Sequence, residues 1–226
     1  MSVWGQYGLQ ESSNTLIELI NYFHDYITLC LLGILSFVTY MFIYVSFNPF
    51  QDSYTNESHF LETIWTVIPI FILLSIAFPS LHLLYLIEEI SSPRVVVKVI
   101  AHQWYWEYQY SNSWFILEFD SYILHSSQKV FYYNLEVDNR LVLPTQSDIM
   151  FLISSSDVLH SWTVPRLGIK VDAIPGRLNY LFTMTPLSGV YYGQCREICG
   201  ANHRFIPIVL EFISIKDFLT FVFHSK

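Results

Sequence analysis

The chain has 226 residues, 53% of them hydrophobic, 18% aromatic and only 13% charged, with a net charge of −8. Soluble domains carry roughly twice that share of charge, so a wholly water-exposed globule is excluded, and nothing basic enough to suggest a nucleic-acid partner remains. All eleven Lys and Arg lie at or after Arg94, where eleven acids balance them, so the eight acids before it supply the whole net charge. The chain therefore divides into an expected membrane part, residues 1–93, and an expected water-facing part, residues 94–226.

Tyr26 to Phe47 is a charge-free run, long enough at 1.5 Å per residue to cross about 33 Å as a helix. His24 and Asp25 precede it, and Asn48-Pro49 stops it. Thr63 to Ile87 is a second such run; Pro69 and Pro79 within it predict kinks or an oblique path. Neither run has the basic leader and small-residue cleavage site of a signal peptide. The expectation is a transmembrane helical hairpin with helices at about 26–47 and 63–87. Arg94 and Lys98 follow the second span while the intervening loop has no cation. Counted literally, the positive-inside rule puts the C-terminal domain on the inner side.

Beyond Arg94 the period changes to two. Arg94–Ile100, Gln103–Tyr110, Val130–Val137, Ile149–Ser154, Leu178–Met184, Val190–Gln194 and Pro207–Ile213 read as strands. Turn residues such as Asp138-Asn139 and Pro175-Gly176 separate them. The pattern predicts an antiparallel sandwich or Greek-key barrel, and the whole chain an α+β membrane protein. Trp104, Trp106, Tyr108 and Tyr110 fall on one face of the second strand, as an aromatic core face would.

Of three cysteines, Cys30 lies in an apolar run and reads as a small core hydrophobe. Cys195 and Cys199 sit with His203 in one short segment, and His160 opens an earlier apolar run. Two Cys and two His can hold a tetrahedral zinc, and thiolate with imidazole suits copper equally. A single blue copper needs one thiolate, which leaves the second surplus. Two bridging thiolates with one terminal His each suit a pair of copper ions, in which a shared electron changes each bond length little. The residues alone leave zinc, copper or a metal-free core open.

With these ligands and spans in place, the chain resembles subunit II of cytochrome c oxidase along nearly its whole length. The matching blocks include Glu62-Thr63-Ile64-Trp65-Thr66, His102-Gln103-Trp104-Tyr105-Trp106, Val137-Asp138-Asn139-Arg140, Asp157-Val158-Leu159-His160-Ser161-Trp162, Asp172–Asn179 and Tyr192-Gly193-Gln194-Cys195. The resemblance implies a cupredoxin-like Greek-key barrel carrying a dinuclear copper centre. It implies that Cys195 and Cys199 bridge both coppers, that His160 and His203 each bind one, and that the Glu197 backbone carbonyl completes a copper. The Glu197 side chain would reach a magnesium ion shared with subunit I, a hard oxygen donor for a hard cation. Trp104 would be where electrons from cytochrome c arrive, and Glu62 the carboxylate at the mouth of a proton channel. Asp157, Asp138 and Glu107 would belong to an acidic patch that steers a basic cytochrome c. Read locally, Glu62 is equally a helix-start acid favoured by the dipole, and acids on turns are ordinarily just solvated. The implied partners are haem-bearing subunit I, other oxidase subunits, cytochrome c and the lipid bilayer. The implied location is the mitochondrial inner membrane, with the C-terminal domain in the intermembrane space, against the charge count.

The chain departs from the family where the axial methionine is expected, three residues after His203: Ile206 stands there. One reading is a centre that forms without its thioether, since such axial bonds are long and weak. Another is that Ile206 reflects a codon table, because AUA is Ile in the standard code and Met in many mitochondrial ones; a peptide mass at position 206 separates the two. Arg196 and Arg204 also stand where small polar residues are usual, and His82 where the family has Arg. The rival functions are a copper-free subunit of a quinol-type oxidase and a zinc-stabilised, membrane-anchored scaffold.

Overall fold

The computed structural model describes residues 5–50, 52, 54, 57–89, 92–112, 115–124 and 132–224. Contacts divide the chain into two compact units: one spans Leu19–Leu86, the other combines the residues up to Glu18 with Ile87 onward.

The first unit is helical. Helix α1 runs Thr15–Phe47 and α2 runs His59–Ile87. Both are long and apolar enough to cross a membrane, and their leucines, phenylalanines and isoleucines are mostly exposed. That is what a lipid-facing surface requires. Helix α1 starts well before the expected span because Asn14 caps it: its Oδ1 accepts the Ile17 N–H at 2.9 Å. Glu18 in the first turn also suits the positive end of the helix dipole. The spanning run is thus the apolar part of a longer helix. Helix α2 passes through Pro69 and Pro79 without interruption.

In the second unit, ten strands follow: β1 Val95–His102, β2 Tyr105–Asn112, β3 Phe115–Ser121, β4 Leu141–Pro144, β5 Ile149–Ser155, β6 His160–Val164, β7 Ile169–Ala173, β8 Asn179–Thr183, β9 Gly189–Gln194 and β10 Pro207–Ile213. They form a five-stranded sheet in the order β3-β2-β1-β5-β8, a three-stranded sheet β4-β10-β9 and the pair β6-β7. The side-chain alternation of period two decides which faces meet. Val95, Val97, Val99 and Ala101 of β1, Trp106, Tyr108 and Tyr110 of β2, and Ile149, Phe151 and Ile153 of β5 point into one core. Leu210 and Phe212 of β10, Tyr191 of β9 and Trp162 of β6 fill it from the other side, with Phe151 and Trp162 rings 4.7 Å apart.

Three expectations are corrected. The sheets are mixed: β1 pairs with β5, and β10 with β4, in parallel, because in each case the intervening chain crosses to another part of the domain before returning. Of the expected strand Val130–Val137, residues 130 and 131 lie outside the described residues, and the rest is turn except for a single bridge from Val137 to Ile123. Trp104 lies in the β1–β2 turn, outside the strand, while Trp106, Tyr108 and Tyr110 do share its buried face. The domain also ends in a helix, α3 Ile215–His224, which buries Phe218 and Val222.

Candidate metal centre

Strands β6 and β9 bring the candidate ligand residues together. His160 is the first residue of β6, and Cys195 directly follows β9, opening the loop to β10. The two stretches are joined by the Arg196 N–H, which donates to the Ser161 carbonyl at 3.1 Å. They approach so closely at Gly193 that a Cβ there would overlap the Thr163 carbonyl oxygen. The Cys195 N–H donates to the Ile206 carbonyl at 3.1 Å, closing the far end of the loop onto β10.

The donor atoms converge. The imidazole of His160 and the sulfurs of Cys195 and Cys199 offer ligand atoms all within 4.8 Å of one another. His160 Nδ1 lies 3.9 Å from Cys195 Sγ, and His203 Nδ1 lies 3.5 Å from Cys199 Sγ. The Glu197 backbone carbonyl stands 3.3 Å from Cys195 Sγ, while its side chain is exposed. His160 is fully buried, and Cys195 and Cys199 are 6% and 3% exposed. Each buried sulfur therefore has its own imidazole, presented through the nitrogen nearest the chain.

The tautomer of His160 is set from behind. Its Nε2 lies 2.9 Å from Asp157 Oδ1, so the distal nitrogen carries the proton and Nδ1 keeps its lone pair for a metal. Partial burial alone would push the Asp157 carboxyl up. The Val158 N–H, His160 and the Gln103 N–H all point at it and together hold it below the usual carboxylate range. Burial, followed by the charge of neighbouring Cys195, pushes the Cys199 thiol up to about 12. A bound metal is the partner that draws the proton off such a thiol, since its charge favours the thiolate. The donor set fits a thiophilic metal.

Trp104 sits against this loop. A Cβ on Gly200, whose φ of +125° few side chains tolerate, would lie 3.2 Å from Trp104 Cζ2 and 3.1 Å from Gln103 Nε2. Ile206 is buried beside the loop at 1% exposure and offers no donor atom. The other sequence-derived residues have contacts of their own. Asp138 accepts the N–H groups of Tyr122 and Asn139, both at 2.7 Å. Glu107 faces His102 Nε2 at 2.9 Å and is mostly buried. Glu62 is in the first turn of α2, 3.7 Å from His59 Nδ1. Arg196 and Arg204 are exposed, the latter lying over the Phe205 ring. What sequence reasoning missed was Gln103, whose amide nitrogen donates to the Cys199 carbonyl at 2.6 Å. It stands in the run His102–Trp106, but no local pattern assigns it a partner 96 residues away.

A hairpin of membrane-length helices followed by a β-sheet domain in which His160, Cys195 and Cys199 cluster buried, with His203 beside Cys199, defines a membrane-anchored metalloprotein domain. Residues 95–213 match the family model for the periplasmic domain of cytochrome c oxidase subunit II, and residues 2–83 match that for its transmembrane domain. Cytochrome c oxidase subunit 2 of Culex quinquefasciatus is 48% identical over 98% of both chains, and that of Aedes aegypti is 47% identical over the same share. Among solved structures, the periplasmic domain of subunit II of cytochrome oxidase from Bradyrhizobium japonicum superposes with a TM-score of 0.56. It is 34% identical and covers 61% of this chain and 96% of its own. A mixed disulfide intermediate of a subunit II periplasmic domain with a thioredoxin-like protein gives a TM-score of 0.55 at 34% identity, covering 62% of this chain and 95% of its own. The chain belongs to the cytochrome c oxidase subunit II family, so its β-domain is cupredoxin-like and the chain is one subunit of an oxidoreductase complex. Family membership implies copper at the His and Cys cluster.

Proposed function

We propose that this chain is the subunit of the oxidase at which electrons from cytochrome c arrive, to be passed on to haem in subunit I. Oxygen reduction to water and coupled proton pumping belong to that partner. The observation that carries the reading is one imidazole for each of two adjacent buried sulfurs, the donor pattern that suits a dinuclear copper centre. When bound, such a copper pair stores one electron with little change in bond lengths. The chain's own residues do the rest. Cys195, Cys199, His160, His203 and the Glu197 backbone carbonyl would hold the coppers. The exposed Glu197 side chain is free to meet a magnesium ion at the boundary with subunit I.

Trp104 is the arrival point for electrons, because its indole touches the ligand-bearing loop at Gly200. Asp157, Asp138 and Glu107 contribute to the field that steers a basic cytochrome. Glu62 stands at the start of α2, where a carboxylate can relay protons. The implied location is the mitochondrial inner membrane, with residues 94–226 as the water-facing domain in the intermembrane space.

Replacing Trp104 with Leu in the assembled oxidase should slow electron uptake from reduced cytochrome c by at least about tenfold, the loss given by ~1.4 kcal/mol of barrier. Metal content should stay unchanged. Stopped-flow reduction with parallel metal analysis checks this, and uptake at the wild-type rate would remove Trp104 from the path. Ile206→Met should be accommodated with a stability change below about 1.5 kcal/mol, because the volumes are similar. The thioether should shift the reduction potential and the near-infrared band of the centre, read by spectroelectrochemistry. An unchanged spectrum would mean that position 206 does not face the metal.

A further inference from the structure

Two separate segments carry the ligands: the turn before His160 and the loop from Cys195 to His203. One residue from a third segment, the β1–β2 turn, holds both. The Gln103 side-chain amide donates to the Cys199 carbonyl at 2.6 Å. Its backbone N–H donates to Asp157 Oδ2, also at 2.6 Å. The other oxygen of that carboxylate lies 2.9 Å from His160 Nε2 and accepts the Val158 N–H at 2.6 Å.

We propose that Gln103 is a positioning residue that clamps the two ligand-bearing segments into one frame, fixing Cys199 through its carbonyl and His160 through Asp157. Gln103 itself is exposed, but its amide nitrogen and its backbone N–H each go to one of the two segments, and a Cβ on Gly200 would lie 3.1 Å from that amide nitrogen. A residue used mainly to meet a docking partner would keep its amide free for that partner. Groups that hold metal ligands from behind cost roughly 10- to 100-fold in metal affinity when removed. Electron transfer through the site needs the same rigidity, because a frame that shifts on reduction adds to the reorganisation. Asp157 is thereby assigned a role beyond its charge: it transmits the clamp to His160.

The inference rests on the copper reading, and its test separates the two. The probes are Gln103→Leu and Gln103→Glu in the intact oxidase. Leu has similar size and no donor, while Glu has the same shape but places an acceptor against the Cys199 carbonyl. Both leave the backbone N–H to Asp157 in place. The measurement is the rate at which a copper chelator strips the subunit, with the electron paramagnetic resonance and near-infrared spectra of the loaded site and the KM for cytochrome c. Expected is metal release at least about tenfold faster, altered copper hyperfine splitting and a near-wild-type KM. A raised KM with unchanged release and spectra would overturn the clamp and make Gln103 a docking residue. Assembly failure of both variants would overturn it as well, by placing Gln103 in the folding of the domain. A wild-type subunit that holds no copper would instead sink the copper reading itself.

Discussion

Cys199→Ser in the assembled oxidase is expected to abolish the metal centre and reduce electron uptake from cytochrome c by at least about 1,000-fold, equivalent to ~4 kcal/mol of barrier. Cys199 offers its sulfur within 4.8 Å of the donors of both His160 and Cys195, and it is the sulfur that faces His203 at 3.5 Å. Serine keeps the shape but substitutes a hard hydroxyl, which ionises far less readily than a thiol and binds soft metals poorly. Without the Cys199 sulfur, His203 loses the sulfur that stands 3.5 Å from its Nδ1, and Cys195 and His160 would form at most half a site. The fold should survive, because the replacement is nearly isosteric; a loss of about 1 kcal/mol is expected. Metal analysis, stopped-flow reduction and thermal unfolding of the same preparation check the three parts. Retention of two metal ions per chain by the variant would show that Cys199 is not a ligand.

Gly193→Ala should be the most damaging substitution away from the ligands. A methyl group there runs into the Thr163 carbonyl oxygen and presses on Val164 Cγ2 at 3.2 Å. A backbone carbonyl in a paired strand cannot swing aside as a side chain can, so β6 and β9 must separate. Overpacking typically costs about 1–3 kcal/mol and sometimes more, and a clash with backbone puts this site at the upper end. The damage extends to function, because β6 begins with His160 and β9 leads directly into Cys195. Expected is a lowered unfolding temperature together with partial loss of metal. Gly33→Ala serves as the comparison, since a Cβ there meets nothing within 4 Å. Equal behaviour of the two variants would mean that the close approach of β6 and β9 is not needed.

How much of this was legible in the sequence depends on whether a signal is local. Val95, Val97, Val99 and Ala101 alternate with partly exposed residues, so β1 is read from its own side chains. All of His160–Val164 is buried, which erases the alternation and leaves β6 looking like any apolar run. Leu117 and Phe119 carry an alternation for β3, but β3 follows β2 so closely that the break between the two strands is hard to see in the sequence. The α3 run Phe218–Phe223 has enough aromatic and β-branched residues to read as a continuation of β10. Only the spacing of buried Phe218 and Val222 marks it as a helix. The start of α1 lay hidden because charge marks where a membrane span ends, whereas a cap such as Asn14 marks where a helix begins.

At the site, the ligands were legible because Cys and His are chemically scarce and cluster in short segments. Their support was not. Gln103 reaches Cys199 across 96 residues of chain, and nothing in the intervening sequence announces the meeting. The same holds for Gly193, whose necessity comes from a strand it does not neighbour in sequence. Asp157 was read as a docking acid for its charge, and its hydrogen bond to His160 emerges only once the turn before β6 is folded.

The most direct test of the central claim is metal content with the electron paramagnetic resonance spectrum of the purified, intact complex. Two coppers for this chain beyond those of subunit I, with hyperfine structure from one electron shared over both, is the expected result. It would also show that the pair tolerates whatever residue occupies position 206. A single localised copper, or zinc, at His160, Cys195, Cys199 and His203 would contradict the dinuclear centre and the electron-accepting role built on it.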